Sequence, residues 1–148
     1  MDNKSDSPFK KSTDDLTSEL NGHINIADFL KKNEKNFVTP DTGGLISGIL
    51  KKKKITKSEL ASRSGMSEVY LYQILNGRRT PSRDRMICIC LGLGCSMEET
   101  QDLLKQGCFA MLYPRVKRDA VIMFALEEHW DINRLNDELF DIEEETMF

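Results

Sequence analysis

The chain has 148 residues, of which 39% are hydrophobic and 30% charged, with a net charge of −3. These values are typical of one soluble globular domain with an extension, and no apolar run reaches the 18 or so residues of a membrane span. The N-terminus lacks the apolar core of a signal peptide, so we expect a cytoplasmic protein with no membrane partner.

Helical spacing and helix caps recur along the whole chain, and no strand pattern is present, so we predict an all-α protein. Residues 1–13 are polar and predicted to be a disordered tail. Residues 14–43 form a predicted N-terminal helical segment that ends in a linker at 38–44, where Pro40 and two glycines interrupt the pattern.

Residues 44–107 contain five short predicted helices with clear starts and stops. The first begins near Leu45 and ends in the lysines at 51–54, and the others follow capping residues. The predicted caps are Thr56, Ser67, Ser82 and Ser96, and the predicted stops are Gly65, Asn76-Gly77, Gly94 and Gly107.

Residues 108–148 are predicted to form a C-terminal helical hairpin and an acidic tail. One helix is expected from Pro114 to about Glu128, and Asp131 caps the next. Residues 83–104 align without gaps to 118–139, and both copies begin with Arg-Asp. Two copies are too few for a solenoid, and helical hairpins resemble each other by chance. The repeat nevertheless favours a second hairpin stacked on the first.

The second and third helices of the middle segment are joined by Ser64-Gly65-Met66, a spacing typical of a helix-turn-helix. In the third helix Leu71, Ile74 and Leu75 share one side and should face the core. The opposite side carries candidate base-reading residues, because glutamine pairs with adenine, valine contacts a thymine methyl and glutamate accepts from cytosine. These residues are Glu68, Val69, Tyr72 and Gln73.

Basic and capping residues surround that helix face and are suited to phosphates. Residues 44–90 have a net charge of +7, whereas residues 1–43 have −2 and residues 91–148 have −8. The basic character of a segment that binds a polyanion is therefore confined to the middle of the chain. The candidate DNA-backbone residues are Lys54, Thr56, Lys57, Ser67, Asn76, Arg78 and Arg79.

From Leu45 to about Leu104 the chain resembles the Xre family of lambda-repressor-like, Cro/C1-type helix-turn-helix domains. The resemblance rests on T-K-x-x-L-A, S-G-M-S, N-G-x-R-x-P-S and L-G at the expected intervals. It implies a five-helix DNA-binding domain with Lys57 and the outward face of the third helix at the bases. Glu68 departs from the family pattern, because many members have a neutral amide or a basic residue near the start of this helix. A carboxylate there is repelled by phosphate, but it can accept a hydrogen bond from a cytosine amino group.

We therefore predict a transcriptional regulator that binds double-stranded DNA as a homodimer, either a repressor or an antitoxin-like autoregulator. The apolar segments 86–93 and 120–126 could supply the dimer interface. The alternative is a protein-interaction module that keeps the fold without specific DNA binding. The acidic C-terminus, which is either a solvated tail or a DNA mimic, supports this alternative. The C-terminal extension would then bind a protein partner.

The sequence offers little to an enzyme or a metal site. His23 and His129 lie in different regions, and the four cysteines, at 88, 90, 95 and 108, lack zinc-type spacing. No phosphate-binding glycine loop is present. We predict no catalytic residues, no metal and no cofactor, and we expect reduced and mostly buried thiols.

Overall fold

The computed structural model describes residues 11–22, 25–37 and 40–148. Over those ranges the chain forms nine α-helices, one short 3-10 helix and no strand, which confirms the predicted all-α class. It divides into two compact units, one within residues 1–39 and the other from Pro40 to Phe148. None of the helices described is long and apolar enough to cross a membrane.

The first unit contains α1 (Thr13–Gly22), α2 (Ile26–Lys32) and the 3-10 helix (Glu34–Asn36). The backbone N–H of Ala27 donates to the side chain of Asn25, which caps α2. The predicted helical segment is therefore helical in separate pieces. Of the predicted disordered tail, residues 1–10 lie outside the described residues, and Thr13 already belongs to α1.

The second unit contains the other seven helices. They are α3 (Thr42–Lys53), α4 (Lys57–Arg63), α5 (Glu68–Leu75), α6 (Arg83–Gly92), α7 (Met97–Gln106), α8 (Lys117–Glu127) and α9 (Ile132–Asp141). Five predicted N-caps are confirmed, because each side-chain oxygen accepts a hydrogen bond from a backbone N–H three residues later. These caps are Thr56, Ser67, Ser82, Ser96 and Asp131.

The core of the second unit is centred on α6. Residues 86–90 are all fully buried, and the helix packs against α4, α7 and α9. Segment 86–93 is therefore internal and is not available as the dimer interface that the sequence suggested. Cys88 is fully buried within the same unit.

Two predicted helix starts were wrong. Helix α3 begins at Thr42, with Asp41 as its N-cap, so Gly43 and Gly44 belong to a helix and not to a linker. A Cβ atom on Gly43 would lie 2.6 Å from the carbonyl oxygen of Leu75, so the glycine lets α3 approach α5. Helix α8 begins at Lys117, because Pro114 occupies a turn closed by the Val116 N–H on the Tyr113 carbonyl at 3.0 Å.

The internal repeat is confirmed and extends beyond the aligned helices. Positive φ angles recur at the same offset, at Gly94 and His129 and again at Cys108 and Glu143. The backbone N–H of Leu112 donates to Gln101 Oε1 at 2.8 Å, and the N–H of Met147 donates to Asn136 Oδ1 at 2.7 Å. Residues 83–113 and 118–148 are thus two copies of one helical hairpin with its following segment.

The two hairpins are joined by a reciprocal pair of salt bridges. Arg83 forms a bidentate contact with Asp119, and Arg118 forms one with Asp84; the shortest N–O distance is 2.9 Å in each. Arg118 also donates to the carbonyl oxygens of residues 145 and 146, and Arg83 donates to those of 110 and 111. Hydrogen bonding to Asp84 raises the pKa of Arg118 above its ordinary value. The exchange of partners is that of a two-fold interface within one chain.

Candidate nucleic-acid interface

Helices α4 and α5 cross at a tight turn. Gly65 adopts a φ of +67° in this turn, a conformation that favours glycine, and Ala61 is almost fully buried where the helices meet. The side chain of Met66 is buried in the core. The ring of Phe148 covers the outside of the turn, and a Cβ atom on Gly65 would lie 2.6 Å from it.

Helix α5 has the orientation that its sequence pattern predicts. Leu71 and Ile74 are fully buried and hold the helix on the core. On the opposite side Val69 is 67% exposed, Tyr72 is 43% exposed and Glu68 is also exposed, while Gln73 is half-buried at the edge. The structure therefore brings the four candidate base-reading residues together on one open helix face, the α5 face (Glu68, Val69, Tyr72, Gln73).

Gln73 is held by a residue that follows the helix. The Nε of Arg79 donates to Gln73 Oε1 at 2.8 Å, and the backbone N–H of Arg79 donates to the Gln73 carbonyl at 3.0 Å. The guanidinium of Arg79 stacks on the ring of Tyr70 at 5.3 Å, and Arg85 lies 5.7 Å from the same ring. Because its carbonyl oxygen has a second lone pair, Gln73 can still accept from a base while its amide group is oriented by Arg79.

Glu68 and Tyr72 are also paired within the domain. The Ser58 hydroxyl donates to Glu68 Oε1 at 2.7 Å across the turn between α4 and α5. Lys57 Nζ lies 5.5 Å from the centre of the Tyr72 ring. The carboxylate of Glu68 is therefore fixed at the start of α5, where the helix dipole also favours a negative charge.

The candidate backbone residues are all exposed, and they lie just before or at the start of α4 and at the two ends of α5. They are Lys54, Thr56, Lys57, Ser67, Asn76, Arg78 and Arg79. The hydroxyls of Thr56 and Ser67 accept N–H bonds as caps and keep a proton that can be donated to a phosphate oxygen. The Asn76 side chain accepts from the N–H of Arg78 at 3.1 Å and so shapes the turn that carries both arginines.

One lysine of the run at 51–54 has a different role. Lys53 Nζ donates to Glu99 at 3.2 Å and to the Gly94 carbonyl at 3.4 Å, so it ties α3 to the start of α7. The hydrogen bond from the Ser96 backbone, together with Lys53, holds the pKa of Glu99 below its ordinary value. Lys53 is therefore a structural residue and is not one of the candidate backbone residues.

Sequence reasoning missed three residues at this site: Ser58, Tyr70 and Arg85. Ser58 and Glu68 are ten positions apart, and only the crossing of α4 and α5 brings them together. For Tyr70 the available signal was the arginines at positions 79 and 85, but their approach to the ring depends on the path of residues 76–82.

The cysteines lie apart from this face. Cys88, Cys90 and Cys95 are buried, as expected, whereas Cys108 is exposed. Burial raises the pKa of the Cys88 thiol to about 12. In the ranges that the structure describes, no three metal-ligating side chains are grouped in a way that could hold an ion.

Comparison with known proteins matches residues 47–99 to the helix-turn-helix family model HTH_3. The match runs from α3 to the first turn of α7 and contains the whole α5 face. Residues 47–99 form a Cro/C1-type helix-turn-helix domain. Such domains bind DNA in transcriptional regulation and are typically without enzymatic activity. Within the Cro/C1-type domain α4 and α5 are the two helices of the motif, and α5 is its second helix. No curated protein and no solved structure gives a significant match.

Proposed function

We propose that the chain is a sequence-specific regulator that binds double-stranded DNA with the α5 face in the major groove. The observation that carries the proposal is the exposure of this face next to exposed cationic side chains. Arg78 and Arg79 follow the end of α5, Lys57 is the first residue of α4, and Lys54 lies just before that helix. Such cations hold phosphates and set the register of the helix, while the α5 face contacts base edges.

Each member of the α5 face has a proposed partner. Gln73 reads adenine by a bidentate contact, Val69 contacts a thymine methyl and Glu68 accepts from a cytosine amino group through the carboxylate oxygen that Ser58 leaves free. Tyr72, with Lys57 over its ring, lies at the edge of the groove. Glu68 thus becomes a determinant of specificity, because phosphate repels it everywhere except opposite a suitable base.

One domain of this size makes few phosphate contacts, so we propose that two copies bind two half-sites. Centres about 34 Å apart place both second helices in the major groove on the same side of the duplex. A repressor or an antitoxin-like autoregulator that binds near its own gene is the form we propose.

The first test is selection from a random double-stranded DNA pool with the full chain, at about physiological salt, where non-specific binding is weak. We expect enrichment of a palindrome with half-sites one turn apart. Arg79→Ala is the test variant and should weaken this enrichment, and Arg134→Ala is its matched control. Both arginines stack on an aromatic ring, but only Arg79 lies beside the α5 face. Folded protein that enriches no sequence would contradict the proposal and favour the protein-interaction alternative.

A further inference from the structure

Helix α8 presents an apolar stripe on its exposed side. Residues at positions 117, 120, 121, 124 and 128 follow one another at helical spacing, and we call Lys117, Ala120, Val121, Phe124 and Glu128 the α8 stripe. Phe124 is 54% exposed, Ala120 and Val121 are half-buried, and the two charged ends are exposed. The stripe therefore has an apolar centre between a lysine and a glutamate.

The internal repeat shows what the same face does in the first hairpin. The residue of α6 equivalent to Phe124 is Ile89, which is fully buried. Met86, which is equivalent to Val121, is also fully buried, and α6 packs against α4 within the same unit. In the first hairpin this face is therefore covered, whereas in the second it is exposed.

The exposed terminal charges of α8 are placed against its own dipole, whereas the buried Asp119 of its first turn is paired with Arg83. Lys117 opens the helix and its Nζ donates to the Ile142 carbonyl at 3.2 Å, Glu127 and Glu128 close the helix, and no basic residue lies in its last turn. No side chain caps its N-terminus either. Because a positive charge is disfavoured at the start of a helix and a negative charge at its end, this arrangement is unfavourable for an isolated α8.

An antiparallel copy of the same helix would compensate both unfavourable charges, the lysine at the start of α8 and the glutamate at its end. The midpoint of positions 117 and 128 coincides with the midpoint of positions 121 and 124, between residues 122 and 123. A two-fold axis at that point places Val121 against the partner's Phe124 and Lys117 beside the partner's Glu128. Each charge then meets its opposite and lies near the favourable end of the other dipole.

We propose that the α8 stripe is a homodimer interface in which two α8 helices pack antiparallel about this axis. The proposal rests on the proposed function only because binding to two half-sites requires two copies of the helix-turn-helix domain. An α8 of 11 residues is roughly 16 Å long, so the contact is smaller than the 800 Å² or so per partner of a stable interface. The dimer is therefore weak in free solution, with a dissociation constant of roughly micromolar order, and is completed on paired half-sites.

The test is sedimentation equilibrium of the full chain over roughly 1–500 µM, a range that spans the expected constant. We expect the mass to rise from 16.9 kDa toward twice that value. Phe124→Glu should weaken the dimer about thirtyfold or more, as loss of a central aromatic contact does. Phe140→Glu is the matched control, because Phe140 is 74% exposed on α9 and lies outside the stripe.

Charge reversal tests the antiparallel register. Lys117→Glu and Glu128→Lys should each weaken self-association several-fold, because each creates two like-charge contacts across the axis. An equimolar mixture of the two variants should associate again, since every pair is then of opposite charge. Variants that fail to fold are recognised by circular dichroism, and the mixture experiment uses only folded proteins.

A chain that stays monomeric throughout the range, or a Phe124→Glu variant that dimerises like the parent, overturns the proposal and leaves the stripe to another protein. A monomer that still binds one half-site would leave the proposed DNA function standing. A dimer that fails to recover in the mixture of charge variants excludes the antiparallel register. A dimer that recovers there but enriches no DNA would support the interface and contradict the proposed function.

Discussion

Several side chains of the α5 face are already hydrogen-bonded in the free protein. Arg79 holds the amide of Gln73, and Ser58 holds the carboxylate of Glu68. Side chains that are fixed before binding lose less rotamer entropy when they meet a base. Arg79 thus has two proposed roles, since it carries charge toward the DNA backbone and positions a base-reading residue.

Two substitutions distinguish these roles of Arg79. Gln73→Ala should cost about 1–3 kcal/mol and relax the preference at one base pair. Arg79→Lys keeps the charge but loses the Nε that orients Gln73, so it should relax the same base pair and leave the salt dependence unchanged. Affinities for the selected site and its single-base variants, measured at several salt concentrations, check both.

Arg79→Ala is the control, because it removes the charge as well and should reduce the salt slope by about 1. An Arg79→Lys variant with intact preference at every base pair would show that Arg79 acts only on the DNA backbone.

The periodicity of α5 predicted which side chains point outward, since burial of Leu71 and Ile74 determines the orientation of the helix. The hydrogen bonds among them could not be predicted, because they depend on the paths of two turns.

Two glycines of α3 show how helices approach one another in this domain. Gly43 faces α5 at a distance that excludes a methyl group, whereas no atom lies within 4 Å of the Cβ position on Gly48. Both belong to the same helix and neither has a positive φ angle, so the backbone of each is compatible with alanine. Differences between their variants therefore report packing.

We expect Gly43→Ala to lower the free energy of unfolding by about 1–3 kcal/mol, because the new methyl group would overlap the Leu75 backbone. Gly48→Ala should raise it by roughly 0.5–1 kcal/mol, as alanine does at an open helical position. Urea unfolding of both variants is the measurement. Equal effects of the two substitutions would be inconsistent with the close approach of α3 and α5.

Helix starts were less predictable than helix caps. A capping serine or threonine acts within three residues, so the local sequence is enough to identify it. The structural roles of Gly43 and Pro114 depend on other parts of the chain. Gly43 contacts α5, and Pro114 belongs to a turn in which the Val116 N–H donates to the Tyr113 carbonyl and the Tyr113 N–H donates to Asp119. Sequence alone therefore placed a linker where a helix begins and a helix where a turn lies.

Across the second unit, the two Arg–Asp pairs join the hairpins. Each arginine makes a bidentate salt bridge and donates to two backbone carbonyls, so the joint is made of two equivalent halves. The repeated Arg-Asp was visible in the sequence. The exchange of partners was not, because an alignment shows equivalence between copies and says nothing about contacts between them.

Arg83→Ala and Arg118→Ala should each destabilise the protein by about 2–3 kcal/mol, below the loss at fully buried pairs because both arginines are partly exposed. Arg115→Ala, at an exposed position between the hairpins, should change stability by less than about 0.5 kcal/mol. Thermal and urea unfolding measure all three. A large difference between Arg83→Ala and Arg118→Ala would contradict the equivalence of the two halves.

The reciprocal Arg–Asp joint has the form of a complex between two identical hairpins whose chains have become continuous. In a dimer of identical chains a substitution occurs in both copies, whereas in one continuous chain it occurs in only one. The two hairpins can therefore differ in sequence while the salt bridges between them are kept. The first copy forms part of the helix-turn-helix domain, with Ile89 fully buried, whereas in the second Phe124 is 54% exposed and packs edge-on against Trp130. The repeat thus contains one face that is covered and an equivalent face that is open to solvent.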